Sequence, residues 1–209
     1  MQFAASTLGP EDTYKLLTGI VVPRPIAWVT TLIPGGGVNL APFSAFTFVS
    51  NKPPMVGINV GRKAGVLKDT GNNIHASGEF VVNIPDDSMI EPVHLSAIEH
   101  PPEVSEAELL GLELAPGSAI RTPRLAMAPI SMECRLHRAI AFGDTGSEFM
   151  VGEVLAFHIR DGLYANGKID TAKLRPICRI GGPNYAKLGE IVAMQQIAQT
   201  AKTVLAQES

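Results

Sequence analysis

Three cations crowd into the stretch GRKAGVLKDTGNN, residues 61–73: Arg62, Lys63 and Lys68 follow Gly61, which closes an apolar run. Asp69 and Thr70 then open a short helical pattern in which either side chain is suited to cap the first turn. The free N–H groups and the dipole of a helix start favour a phosphate, and Thr70 and Asn73 add neutral donors. The stretch NLAPFSAFTFVSNKPP, residues 39–54, has a different chemistry. Its polar Asn39, Ser44 and Thr47 are interleaved with Phe43, Phe46 and Phe48, as a flat heteroaromatic ligand requires: apolar walls with a few donors and acceptors at the edge. A third stretch, VVPRPIAWVTT at 21–31, sets Arg24 between two prolines at the mouth of a strand, where proline is confined to strand starts, edges and bulges. Each stretch also has a plainer reading: solvated lysines, ordinary core phenylalanines, and a stiff strand entry with a solvated arginine.

Other chemistries lack their signatures. No GxGxxG follows a strand, and neither a GxxxxGK[ST] nor a GxSxG pattern occurs. His75, His94, His100, His137 and His158 are scattered without metal-ligand spacing, and no nucleophile stands beside a base. An enzyme built from this sequence would borrow its chemistry from an organic cofactor. Cys134 and Cys178 are the only cysteines, and both lie in apolar or strand-like stretches. They form neither a disulfide framework nor a metal site, which suits a reducing cytoplasm. A net charge of −3 excludes a generally basic, nucleic-acid-coating surface. The N-terminus has no secretory pattern, and no apolar run reaches the roughly 18 residues of a membrane span.

The elements that must position these residues read as mainly extended. A helix is expected over GPEDTYKLLTG, 9–19, followed by a strand over 20–33, a PGGG turn, and extended chain from Val38 to Ser50. Further strands are expected over 55–61 and 79–85. Residues 86–124, rich in Pro, Glu and Ser, read as an excursion from the sheet with short helices at 89–96 and 103–110. Residues 130–137 alternate, with Ile130, Met132, Cys134 and Leu136 on one face and Ser131, Glu133, Arg135 and His137 on the other. That pattern predicts a half-buried antiparallel strand, paired through a GDTGS turn with 148–162. A C-terminal helical segment is expected from about residue 186. Short connections without regular strand–helix alternation predict one antiparallel barrel domain over 1–209 with peripheral helices.

Taken in order, PRPIAWVTT (23–31), NLAPFSAFTFVSNKPPMVGINVG (39–61), KDTGNNI (68–74), EFVVNIP (79–85), VGEVLAFHIRDG (151–162) and RIGGPNYAKLGE (179–190) resemble the flavin reductase-like, FMN-binding split-barrel family, in its longer branch. The resemblance implies a six-stranded antiparallel split β-barrel, a homodimer, and FMN near the subunit interface. It also implies NADH or NADPH as electron donor and a monooxygenase or electron-transfer protein as a partner. Carried over by position, Ala27, Trp28, Val29 and Thr30 border the flavin, with Arg24 near the cofactor or its phosphate. Asn39, Ala41, Pro42, Ser44 and Ala45 meet the ring edge and ribityl chain. Gly61, Arg62, Lys68, Asp69, Thr70 and Asn73 hold the phosphate, Asp69 in a structural role because a carboxylate repels phosphate, and Tyr185 closes the nicotinamide face. Where short-form relatives carry Asp-His ahead of a strand, this chain has Gly146 and Ser147. His158, further along that strand, is then the histidine to locate. The alternatives are an electron-transfer flavoprotein that does not itself use nicotinamide, and a module of the same fold that has exchanged FMN for haem or pyridoxal phosphate.

Overall fold

The computed structural model describes residues 1–195. Its main sheet is formed by β1 (Ala27–Leu32), β2 (Val38–Phe43), β3 (Phe46–Asn51), β4 (Pro54–Val60), β5 (Glu79–Ile84), β6 (Ile130–Phe142) and β7 (Ser147–Ile159). The order is β2-β1-β5-β6-β7-β4-β3, and every pairing is antiparallel. The sheet therefore has seven strands where six were expected. The strands at its two edges, β2 and β3, are consecutive in sequence and separated only by Ser44 and Ala45. A sheet whose opposite edges are joined by two residues must curl until those edges meet. The Ala45 carbonyl accepts from Asn59 N–H at 2.9 Å at that junction.

Side chains alternate across a strand, and β1 shows what each face packs against. Ala27 and Val29 point into the curled sheet with Val56, Ile58, Phe80, Val82, Met150 and Val154. Ile26 and Trp28 point outward into a second core with Leu40, Met89, Val93, Ala107 and Leu125. The second core is supplied largely by the 86–124 excursion, whose helices are α3 (Ile90–Leu95) and α4 (Glu106–Leu109), following α1 (Pro10–Ile20) and α2 (Asp69–Ser77). Trp28 is fully buried there and donates its indole N–H to Ser96 Oγ at 2.8 Å. Burial on both faces explains why β1 carries no charged residue and why the hydroxyls of Thr30 and Thr31 are both hydrogen-bonded.

Three expectations need correction. The strand read from residue 20 starts later, because α1 continues through Ile20; only Arg24–Pro25 and β1 are extended. The helix expected from about 186 is absent over its described part: Tyr185–Lys187 form a strand against Ile177–Arg179. Residues 188–195 have no regular structure, and the remainder of that segment lies outside the described residues. The polar face of β6 is solvated only in its second half: Arg135 and His137 are exposed, but Ser131 and Glu133 are fully buried beneath the excursion.

Glu133 is the tie that holds the excursion to the sheet. Its carboxylate accepts from Ser118 N–H at 2.7 Å, Ser118 Oγ at 2.9 Å, Ala119 N–H at 2.7 Å and Ile120 N–H at 3.0 Å, and it pairs with His158. Burial pushes this carboxyl up, but the hydrogen bonds from Ser118, His158 and Ala119 outweigh burial and hold its pKa at about 2. A carboxylate depressed in the fold stabilises above its unfolded pKa, and that contribution fades as pH falls towards about 2. Replacement of Glu133 by Gln should lower stability by about 3 kcal/mol at neutral pH and flatten the acid limb of a urea-unfolding series. An unaltered acid limb in Glu133→Gln would contradict this account.

Candidate functional site

The site is built around the start of α2. Lys68 occupies the N-cap position in extended conformation, and no side chain caps the helix, so neither Asp69 nor Thr70 plays the capping role read from the sequence. The N–H groups of Asp69 and Thr70 have no partner among the described residues. Thr70 instead points inward. Asn39 donates to Thr70 Oγ1 at 3.0 Å and faces Thr31 Oγ1 at 3.4 Å, and Asn73 donates to Thr31 Oγ1 at 3.1 Å. All four side chains are buried, and together they bolt α2 to β1 and β2. Gly71 sits against the same wall: a Cβ there would meet Leu67 Cγ at 2.7 Å and Val60 Cγ1 at 3.2 Å.

Two cavities adjoin in front of this helix start. The smaller, of about 240 Å³, is lined by Asn39, Ala41, Asp69 and Thr70 on the sheet side and by residues 96–100 with Glu106 on the excursion side. The larger, of about 410 Å³, lies between α1 and the Arg179–Tyr185 turn, with Arg24, Ile26 and Ser44 in its wall. Pro42, Phe43, Lys68 and Ala97 line both. Lys68 forms no ion pair among the described residues, whereas Lys63 is matched by Glu99. Glu106 accepts from Leu40 N–H at 2.9 Å; burial nevertheless raises its pKa against the opposing effect of that bond.

Arg24 is largely engaged as a clamp. It donates to Ser44 Oγ at 3.2 Å, to the carbonyls of Thr18 and Val21 at 2.6 Å each, and to Ile180 O at 3.4 Å. Two of these carbonyls end α1, where a cation complements the helix dipole. The cation between two prolines thus ties α1, the strand entry and the 180 turn together at the edge of the larger cavity.

Of the residues singled out in the sequence, Arg24, Asn39, Ala41, Pro42, Ser44, Lys68, Asp69, Thr70 and Tyr185 line one cavity or the other. Ala27, Trp28, Val29 and Thr30 are fully buried and line neither. Ala45 and Gly61 also lie outside both linings, and Asn73 works within the buried ladder. Arg62 is turned away, held by Glu148 at 2.7 Å and Gly146 O at 2.6 Å. His158 is occupied by Glu133, away from both cavities. Glu106 and Arg179 were missed. Nothing separates Glu106 from Glu103 or Glu108 in an acidic run, whereas the Gly-Gly-Pro-Asn turn between Arg179 and Tyr185 was a readable sign that the two face each other, as their register shows. Among the described residues no His, Cys, Asp and Glu cluster is arranged to hold a metal, and no helix is long and apolar enough to cross a membrane.

The model of the "flavin reductase like domain" family matches residues 19–173. The chain is 41% identical to the uncharacterized protein BH2278 of Halalkalibacterium halodurans over 94% of its own length and 96% of that protein. Among solved structures it resembles nitrilotriacetate monooxygenase component B from Bacillus cereus, with a TM-score of 0.90 and 40% identity over 93% of this chain and 98% of that one. It also resembles the Pseudomonas fluorescens 2-nitrobenzoate 2-nitroreductase NbaA, with a TM-score of 0.87 and 34% identity over 96% and 98% of the two chains.

The ladder makes a direct prediction. Gly71→Ala should push Leu67 or the helix away from the sheet and destabilise the fold by about 1–3 kcal/mol. Asn39→Ala should cost a similar amount by removing the donor to Thr70. Thermal unfolding of the two variants checks this, and a melting point equal to that of the parent would show that α2 is not held this way.

Proposed function

The chain belongs to the family of flavin reductase like domains, and from that premise we propose that it is an FMN-dependent oxidoreductase. NADH or NADPH is the electron donor, and the acceptor is a small molecule or a partner protein. The observation that carries the choice of a phosphate-bearing flavin is the uncapped start of α2: two unpartnered N–H groups beside the unpaired Lys68, at the boundary of two cavities with apolar walls. Such a helix start is an anion site. Pro42, Phe43 and Ala97 offer a flat ring a place beside it, with Asn39, Ser44 and Tyr185 at the edges. Bound flavin would supply hydride acceptance from nicotinamide and electron release to the acceptor. The protein's part is to hold the reactants against each other and exclude water, which needs no side-chain acid or base. The likeness of this chain to component B of nitrilotriacetate monooxygenase supports a monooxygenase component as the partner. The free Cys134 and Cys178 suit the reducing cytoplasm.

We propose a homodimer, and α1 is what supports it. This helix buries none of its residues among the described residues and exposes Leu17, Ile20 and Tyr14. An isolated helix of such length is marginal in water, so a second copy is the natural cover for its apolar side.

The purified protein should be yellow, or become so with FMN, and should bleach anaerobically with NADH or NADPH. A yellow protein bleached by neither nucleotide would mark the electron-transfer alternative, and a colourless one that ignores FMN would end the flavin reading. Lys68→Ala should weaken FMN binding by about 1.5–3 kcal/mol, with no loss of melting temperature. Arg62→Ala, whose parent side chain is held by Glu148, should have the smaller effect in the same titration. Sedimentation should show a dimer; a monomer with full FMN affinity would remove the dimer from the model.

A further inference from the structure

The larger cavity has a charge pattern that flavin binding leaves unused. Lys15, Arg24, Lys68 and Arg179 all line it, and among the described residues no carboxylate does. The smaller cavity, by contrast, has Asp69, Glu99 and Glu106 among its walls. The four cations are not equivalent. Lys15 pairs with Glu11 along α1 at 2.8 Å. Arg24 is engaged by backbone carbonyls, and Lys68 stands at the helix start assigned to the flavin phosphate. Arg179 remains.

Arg179 is held in place and still has capacity to bind. Its Nε donates to Gly182 O at 3.0 Å and its Nη1 to the Tyr185 hydroxyl at 2.6 Å. Its Nη2 has no hydrogen-bond partner, and the side chain forms no ion pair among the described residues. The guanidinium lies 4.6 Å from the centre of the Tyr185 ring, and His94 braces that ring edge-on at 5.8 Å. A pre-positioned guanidinium with free N–H groups, in a cavity whose described lining has no carboxylate, is matched to a carboxylate or phosphate. Ile26, Pro42, Phe43 and the Tyr185 ring supply apolar walls for the rest of such a ligand.

We propose that the larger cavity admits a second reactant that is flat and anionic, and that Arg179 recognises its charge. This deepens the flavin reading and rests on it for the identity of the reaction. The shared ligand chemistry has two sources: an aromatic carboxylate that accepts electrons, or the phosphates of the nicotinamide donor.

Calorimetric titration of the full-length protein, with and without FMN, separates them, using benzoate, its neutral counterpart benzamide, and ADP-ribose as probes. At least one anionic probe should bind, and benzamide should bind at least about tenfold more weakly than benzoate if benzoate is the ligand. Arg179→Gln should weaken the anionic probe by about 10- to 100-fold and FMN far less, since Arg179 reaches the flavin edge only through Tyr185. Arg179→Lys should restore part of the loss, which separates charge recognition from damage to the Tyr185 wall. Loss of benzoate binding assigns the site to the acceptor, and loss of ADP-ribose binding assigns it to the donor. Wild-type protein that takes FMN but binds neither anion, or an Arg179→Gln variant that binds both as well as its parent, overturns the proposal while the flavin reading stands. Protein that refuses FMN but binds an anion through Arg179 does the reverse.

Discussion

Asn39, Thr31, Thr70 and Asn73 are all buried, yet each carries a polar group that must be satisfied. They satisfy one another, and in doing so they set the position of α2 on β1 and β2. The groove follows from that placement. The helix start faces outward because its second residue is hydrogen-bonded inward. Its first N–H groups are free because the N-cap is a lysine, whose side chain has no acceptor to offer them. Gly71 allows the close approach, since any side chain there would strike Leu67. An apolar ladder of the same shape would pack as well, but would define the rotation of α2 less sharply, because hydrogen bonds are directional and a buried unpaired amide is costly.

The opposite wall of the smaller cavity is held by the same principle applied at a different place. The excursion presents Ser96–His100 and Glu106 to that cavity, and it could not do so as a loose loop. Trp28 binds Ser96, Glu106 accepts from Leu40, Ser105 donates to the Val38 carbonyl, and Glu133 gathers three successive backbone N–H groups at 118–120. Each contact joins a polar group of the excursion to a sheet strand that is already buried on its inner face. The excursion therefore completes the fold, giving β1 and β2 their second apolar layer, and lines the cavity with the same residues.

These two devices explain what could be read from the sequence and what could not. Strand positions 55–61 and 79–85, the helix at 10–19 and the turn at 34–37 are local patterns, and the structure keeps them within a residue or two. The motif at 68–73 was legible as a helix start suited to an anion. Thr70 and Asn73 were read as outward donors, because a short polar side chain looks the same whether it caps a helix or enters a buried ladder. Only the pairing with Asn39 and Thr31, dozens of residues away, decides between them. Glu133 misled for the same reason: alternation on β6 marks its face as polar, and nothing local says that the excursion folds over it. The seventh strand was hidden by the closeness of β2 and β3, which read as one extended run from Val38 to Ser50 interrupted only at Ser44 and Ala45.

The electrostatics of the groove follow from where the chain needed polar anchors. The smaller cavity contains acids because the excursion uses Glu106 as an anchor and Asp69 suits the first turn of a helix. Burial raises the pKa of Glu106 against the opposing hydrogen bond from Leu40 N–H. The larger cavity contains cations because Arg24 had to close the end of α1 and Arg179 had to brace the Tyr185 turn. Lys68 stands between the two, so an anion reaching α2 feels carboxylates on one side and cations on the other. By charge alone, the α1 side is the more favourable of the two for an anion. The charges that give the two cavities their opposite polarity belong to residues that also hold the fold together: Glu106 on Leu40, Arg24 on the end of α1 and Arg179 on Tyr185.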